Sequence, residues 1–214
     1  LLAQKAGADG ITAHLREDRR HIRDDDITAL KEAIDIPLNF EMAATDEMVA
    51  VALKLLPNAA CIVPERREEL TTEGGLAVTG QQARLSPLIQ QLKGAGIRVS
   101  LFVDAEEAEL RAAADLGADI VELHTGRYCD SPAGNQRSQE YERIAKGAQI
   151  AAALGLEVHA GHGLSFETVP EIAALPEIVE LNIGHFLIGA AIYTGLEDVI
   201  LQMRQLMSRA RPAK

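Results

Sequence analysis

Short runs of apolar and β-branched residues alternate along this chain with longer stretches of helical periodicity. The runs are Gly10–Leu15, Pro37–Met42, Ala59–Pro64, Ile97–Val103, Asp119–His124, Leu156–Ala160 and Ile178–Ile183. Most are too short for helices and carry apolar residues on both faces, as strands of a buried parallel sheet do. Helical patterns occupy Asp26–Ile34, Asp46–Leu56, Gln81–Lys93, Ala105–Leu116, Gln136–Leu154, Ser165–Ala174 and Leu196–Ala210. Asp46 and Ser165 are the expected N-caps, and Gly117 and Gly155 stand where helix C-terminal glycines belong. A short apolar helix is expected at about Phe186–Tyr193.

The segments Lys5–Ile11 and Asp115–Ile120 look like copies of one another, each a helix end, a glycine turn and the start of a strand. Strict strand–helix alternation gives right-handed crossovers and a parallel sheet. This many units favours a closed barrel over an open doubly wound sheet. The lack of GxGxxG after the first strand also lowers a dinucleotide-binding reading. The expected fold is therefore α/β, a TIM (β/α)8 barrel with extra helices, forming a single domain over residues 1–214.

Loop lengths locate the working face. Helix-to-strand connections such as Gly94–Gly96 and Gly117–Ala118 are short, while strand-to-helix connections such as Arg16–Asp25, Glu65–Gly80 and Thr125–Asn135 are long and polar. That asymmetry marks the C-terminal face of the strands. Within Glu65–Gly80 the Gly74–Gly75 pair suits either a lid closing over a ligand or a solvated surface loop.

Composition narrows the classes. With 21 Lys and Arg against 32 Asp and Glu, the formal charge of −11 argues against nucleic-acid binding. No apolar run approaches the roughly 18 residues of a membrane-spanning helix. Trp is absent and aromatic residues make up 3%, so Ala, Leu, Ile and Val must build the core. Cys61 and Cys129 show no metal-ligand spacing, and free thiols suit a cytoplasmic protein. Cys61 reads as a buried apolar residue; Cys129 reads the same way or as a reactive thiol.

The strand ends carry the chemistry. His14, Glu41, Asp104, Glu122 with His124, His162 and His185 stand at or just beyond them. A lone carboxylate or imidazole there is ordinarily a satisfied core group, but a set of them meeting at a barrel mouth is a candidate site. Glu41 lies among apolar neighbours, where desolvation raises proton affinity and suits a general base. The same His and Glu set also allows a divalent-metal reading, although no HExxH or Asp-rich run supports it. Gly161–Leu164, expected to lead straight into a helix at Ser165, and Asn182–His185 before the short apolar helix read as phosphate-binding turns. Arg16, Arg19, Arg20 and His21 form a basic cluster suited to a second phosphate or to plain solvation.

These residues fall into motifs that resemble one family along nearly the whole chain. The motifs are His14–Ile22, Asn39–Ala43, Val63–Glu65, Thr71–Leu76, Glu122–Gly126, Ala160–Leu164 and Glu180–His185, and the family is pyridoxine 5'-phosphate synthase. The resemblance implies a transferase that condenses 3-amino-2-oxopropyl phosphate with 1-deoxy-D-xylulose 5-phosphate, giving pyridoxine 5'-phosphate, phosphate and water. It implies no cofactor and no metal. It casts His14 and Glu41 as proton acceptors, His162 as proton donor and Glu122 as transition-state support. Arg16, His21 and Thr71 would bind the deoxyxylulose phosphate; Gly163, Gly184 and His185 would bind the amino-oxopropyl phosphate. The implied assembly is a homo-octamer, a tetramer of dimers.

The family pattern begins with a strand bearing Asn-Ile-Asp-His, which has no equivalent here. The chain is expected to lack one strand of the eight that a barrel needs, to fold poorly and to be inactive as written. Two rival readings remain, another phosphate-binding barrel enzyme such as an aldolase or isomerase, and a non-catalytic barrel that only binds a phosphorylated metabolite. The first would need a Schiff-base Lys at a strand end, and none of the strands has one.

Overall fold

The computed structural model describes residues 1–65 and 74–211. Seven parallel strands form one sheet in the order of the sequence: β1 Ile11–His14, β2 Leu38–Ala43, β3 Ala59–Val63, β4 Arg98–Val103, β5 Ile120–His124, β6 Glu157–Gly161 and β7 Ile178–Asn182. The helices are α1 Leu2–Lys5, α2 Asp24–Ala33, α3 Asp46–Leu55, α4 Gln82–Gly94, α5 Glu107–Asp115, α6 Gly126–Asp130, α7 Asn135–Ala153, α8 Val169–Ala173, α9 His185–Thr194 and α10 Leu196–Ala210. All seven strands stand where the apolar runs predict them. Strands that pair in sequence order, all parallel, with a helical crossover between neighbours make a TIM-barrel-like α/β fold.

The sheet is curled so far that its two edges meet. The Thr12 hydroxyl on β1 donates to Asn182 Oδ1 on β7 at 2.6 Å, although these strands lie at opposite ends of the sheet order. Among the described residues no backbone ladder joins β1 to β7. The seam is spanned by side chains instead.

Alternation divides each strand between two environments. On β2, Leu38, Phe40 and Met42 pack into the main core between sheet and helices. Asn39 and Glu41 lie on the other face, toward the hollow of the curl. That core is continuous and rich in Leu, Ile, Val and Ala, as the composition requires. Among the described residues the hollow carries a small apolar patch of Cys61, Val63 and Phe102 beside polar groups such as Asn39, Glu41 and Glu122. At Gly7 and Gly117 the chain turns from helix to strand at φ 95° and 74°, a backbone region open to glycine at little cost. The two copies seen in the sequence thus perform the same turn before β1 and before β5.

Several helix boundaries depart from expectation. Thr45, not Asp46, caps α3 by accepting from the Met48 N–H. The Asp26 carboxylate reaches back to the Arg23 N–H, and α2 starts at Asp24, two residues earlier than expected. Ser165 caps nothing. Its N–H donates to Thr168 Oγ1 in a local turn, and the helix begins only at Val169, with Pro170 in its first turn. The segment 125–135, expected as a loop, contains the short helix α6.

Phe40 is fully buried in the main core. Phe40→Ala should destabilise the fold by about 3–5 kcal/mol, read as a lower urea midpoint at unchanged m-value. A loss under about 1 kcal/mol would mean that the sheet–helix layer is not close-packed there.

Candidate active site

The site is built where strands end. His14 closes β1 and lies in register with Glu41 on β2. Its Nδ1 stands 3.8 Å from Glu41 Oε2, and its Nε2 is 3.2 Å from Glu65 Oε2. Glu65 also accepts from the Glu17 N–H at 2.8 Å and lies 3.8 Å from the buried Arg16 guanidinium. A carboxylate at Nε2 assigns the proton to that nitrogen, leaving the Nδ1 lone pair toward Glu41. Burial, reinforced by the positive charge of Arg16, lowers the His14 pKa to about 4, so the imidazole is neutral at physiological pH. Burial raises Glu41 to about 7. His14 is thus a neutral base, and Glu41 a carboxyl poised to gain or lose a proton.

Glu122, in the middle of β5, is fully enclosed. Burial pushes its carboxyl well above the usual range, and the charges of Glu41 and Glu180 push the same way. Asn182 Nδ2 donates to Glu122 Oε2 at 2.9 Å, and the Cys61 thiol approaches the same oxygen at 3.9 Å. Gly161 leaves room for this carboxyl: a Cβ there would collide with Glu122 Oε1.

His162 follows β6 with φ 79°, a left-handed conformation that non-glycine residues rarely hold. The Thr125 hydroxyl lies 2.6 Å from its carbonyl oxygen and 2.8 Å from that of Gly161, tying the end of β5 to the strained turn. The His162 ring packs 5.1 Å from that of His124. His124 in turn is bonded through Nδ1 to Asp104 at 3.1 Å and lies edge-on to Phe102. That bond to His124 holds the Asp104 carboxyl below its ordinary range.

The other predicted residues fall around this centre. Arg16 is buried beside Glu65, and His21 is exposed in the same loop. Arg19 does not join them. Its guanidinium is committed to Asp24 and Glu47 at the outer helices, while Arg20 pairs with Asp18. Thr71 lies outside the described residues, as does much of the expected lid. The part that follows is anchored to the body of the fold: Leu76 and Val78 are buried, and the Glu109 carboxylate accepts from the Val78 and Thr79 N–H groups.

Gly163 is exposed in the turn after β6. Gly184 and His185 start α9, whose first N–H groups have no intrahelical acceptor. Phe166 and Phe186 meet edge-to-face at 4.8 Å, bringing these two turns together. The expected helix N-terminus at Ser165 is absent from this arrangement, which leaves that of α9 beside the turn after β6. Among the described residues no group of three or more His, Cys, Asp or Glu side chains is placed to hold a metal ion. Cys129 is half-buried, and burial raises its thiol pKa, which opposes the reactive-thiol reading.

The sequence reading leaves Glu65 without a chemical role and takes Asn182 only as the first residue of the Asn182–His185 phosphate-binding turn. Glu65 carried the same signal as Glu41, a carboxylate at a strand end. Asn182 is uncharged, and its link to Glu122 becomes visible only in the fold.

The family described as "Pyridoxal phosphate biosynthesis protein PdxJ" matches residues 1–209. The chain is 62% identical over 215 residues to "Pyridoxine 5'-phosphate synthase" of Xanthobacter autotrophicus strain Py2, covering 99% of this chain and 84% of that protein. It is 63% identical over 214 residues to the protein of the same name from Jannaschia sp. strain CCS1, covering 99% and 86%. In fold it is similar to phosphoribosyl anthranilate isomerase from Thermus thermophilus, with TM-score 0.61 at 15% identity over 98% of this chain and 92% of that one. It is likewise similar to KGPDC from Streptococcus mutans, with TM-score 0.65 at 11% identity over 98% and 91%.

Ionising Glu41 inside the folded protein is unfavourable, because its folded pKa of about 7 exceeds the ordinary 4.5. Its contribution to stability is therefore lost as pH rises through that window. Glu41→Gln removes the effect. The variant should melt several degrees above the parent at pH 8, with the difference vanishing near pH 4.5. A variant that is less stable at pH 8 would contradict the burial of a charge at this position.

Proposed function

Because the chain belongs to the family of pyridoxal phosphate biosynthesis proteins, we propose that it is a cytoplasmic pyridoxine 5'-phosphate synthase that condenses 3-amino-2-oxopropyl phosphate with 1-deoxy-D-xylulose 5-phosphate. The products are pyridoxine 5'-phosphate, inorganic phosphate and water. The observation that carries this reading is the pairing of a neutral imidazole, His14, with a carboxyl of neutral-range pKa, Glu41, within 3.8 Å at the mouth of the curled sheet.

Imine formation, water loss and ring closure each require protons to be taken up and returned. His14 Nδ1 and Glu41 are the acceptors; Glu65 holds the ring of His14 in the tautomer that leaves Nδ1 open. His162 is the donor, held by its strained backbone against His124. Glu122, kept protonated by burial, supports developing negative charge without itself bringing a charge into the site. Arg16, His21 and Thr71 bind the deoxyxylulose phosphate. Gly163, Gly184 and His185 bind the amino-oxopropyl phosphate at the start of α9, where backbone N–H groups and the helix dipole favour an anion. The roles require no metal and no cofactor. No described helix is long and apolar enough to cross a membrane.

The protein works as a homo-oligomer. The basis is α9, an apolar helix without a single buried residue, on which Ile188, Ile192 and Tyr193 are 62%, 80% and 88% exposed. An apolar surface of this kind is characteristically an interface. The octamer of the family resemblance is the assembly this reading expects.

Supplied with both substrates, the purified protein should form pyridoxine 5'-phosphate, detected by mass. Glu41→Gln and His162→Asn should each reduce turnover by about 10²–10⁴-fold while circular dichroism stays unchanged. The pH–rate profile should fall away below about pH 7, where the acceptor Glu41 becomes protonated. Absence of product, or full turnover in Glu41→Gln, would exclude the reading. Separately, Ile192→Glu should shift the protein to smaller species in sedimentation velocity. An unchanged distribution would mean that α9 is not an interface.

A further inference from the structure

We propose that Asn182 is a positioning residue for Glu122, its carboxamide fixing which of the two carboxyl oxygens carries the proton. The inference rests on the role of Glu122 in the reaction proposed above. Four side chains from four strands form a directed chain across the hollow of the sheet. Asn39 Nδ2 donates to Thr12 Oγ1 at 3.3 Å, and the Thr12 hydroxyl donates to Asn182 Oδ1 at 2.6 Å. Asn182 Nδ2 then donates to Glu122 Oε2 at 2.9 Å. Every link runs in the same direction, so each group polarises the next. Because Thr12 Oγ1 accepts from Asn39, its own proton turns to Asn182, so the Asn182 oxygen faces Thr12 and its N–H faces Glu122.

The consequence falls on Glu122. Its Oε2 faces two donors, the Asn182 amide and, more distantly, the Cys61 thiol. A proton on Oε2 would point into those donors. The proton therefore sits on Oε1, the oxygen that packs over Gly161, next in sequence to His162. As negative charge develops on an oxygen of the reacting molecule, the O–H at Oε1 donates a hydrogen bond to it and stays intact. The electron density this draws toward the carboxyl is shared with Oε2, where the Asn182 N–H already stands to receive it. Gly161 and Asn182 are the two halves of one device: the glycine leaves room for Oε1, and the amide holds Oε2.

Two measurements test the proposal, one of them independent of turnover. The infrared band of the protonated carboxyl, assigned by its loss in Glu122→Gln, should shift in Asn182→Ala because the bond at Oε2 is gone. An unmoved band overturns the proposal whether or not the protein makes product. In steady-state kinetics, Asn182→Ala should lower kcat by about 10- to 100-fold with KM for both substrates nearly unchanged. Combined with Glu122→Gln, it should add no further loss, because residues that act as a unit do not add. Losses that multiply, or a rise in KM at unchanged kcat, would overturn it. Asn182→Asp keeps the size of the side chain but places an acceptor where the donor stood. It should fold and lose at least as much kcat as Asn182→Ala; wild-type turnover there would also refute the assignment. If the parent protein forms no product while the band still shifts, the proposed reaction fails and the assignment of Asn182 stands.

Discussion

Carboxyl groups withdrawn from water inside a curled parallel sheet are the constraint on which the rest of this structure depends. Burial favours the neutral form of a carboxylic acid and, equally, of an imidazole. It therefore raises Glu41 and Glu122 and lowers His14, and so leaves a neutral imidazole beside Glu41, a carboxyl that exchanges its proton near neutral pH. Elsewhere in the chain carboxylates are met by cations, as at Arg19 with Asp24 or Lys93 with Asp119. In the hollow Glu122 is met by the Asn182 amide and the Cys61 thiol, and Glu41 by the imidazole of His14. The cost of enclosing them is carried by the continuous Leu, Ile, Val and Ala layer between sheet and helices.

The same division explains how one chain keeps a firm scaffold and a strained site together. Each strand sends alternate residues to the apolar layer and to the polar hollow, so packing on one face fixes the position of groups on the other. His162 illustrates the result. Its left-handed backbone is unfavourable alone, yet the Thr125 hydroxyl and the neighbouring His124 ring hold it at the end of β6. The exposed apolar surface of α9, with Ile188, Ile192 and Tyr193, stands apart from this scheme.

Much of this was legible before the structure. Apolar runs bounded by helical patterns located all seven strands, because a buried parallel strand has few other ways to be written. His14, Glu41, Glu122 and His162 stood out as polar groups where apolar ones are expected. What escaped notice depended on partners far away in sequence or on competing local bonds. Thr45 and Asp46 are both good caps, and only geometry chooses between them. Ser165 is diverted into a turn by Thr168, while Pro170 was the better marker of where α8 starts. Arg19 looked like part of a phosphate site because adjacency in sequence was mistaken for convergence in space. Asn182 reads in the sequence as part of a phosphate-binding turn, and its bond to Glu122, 60 residues away, appears only in the fold.

The most direct measurement is a carboxyl carbon-13 titration of the glutamate-labelled protein, with the Glu41 resonance assigned by its loss in Glu41→Gln. A midpoint near pH 7 is the result expected of a half-buried carboxyl beside a neutral imidazole. A midpoint near 4.5, the value of a solvated glutamate, would mean that water reaches the hollow and that the acid–base account built on its exclusion is wrong.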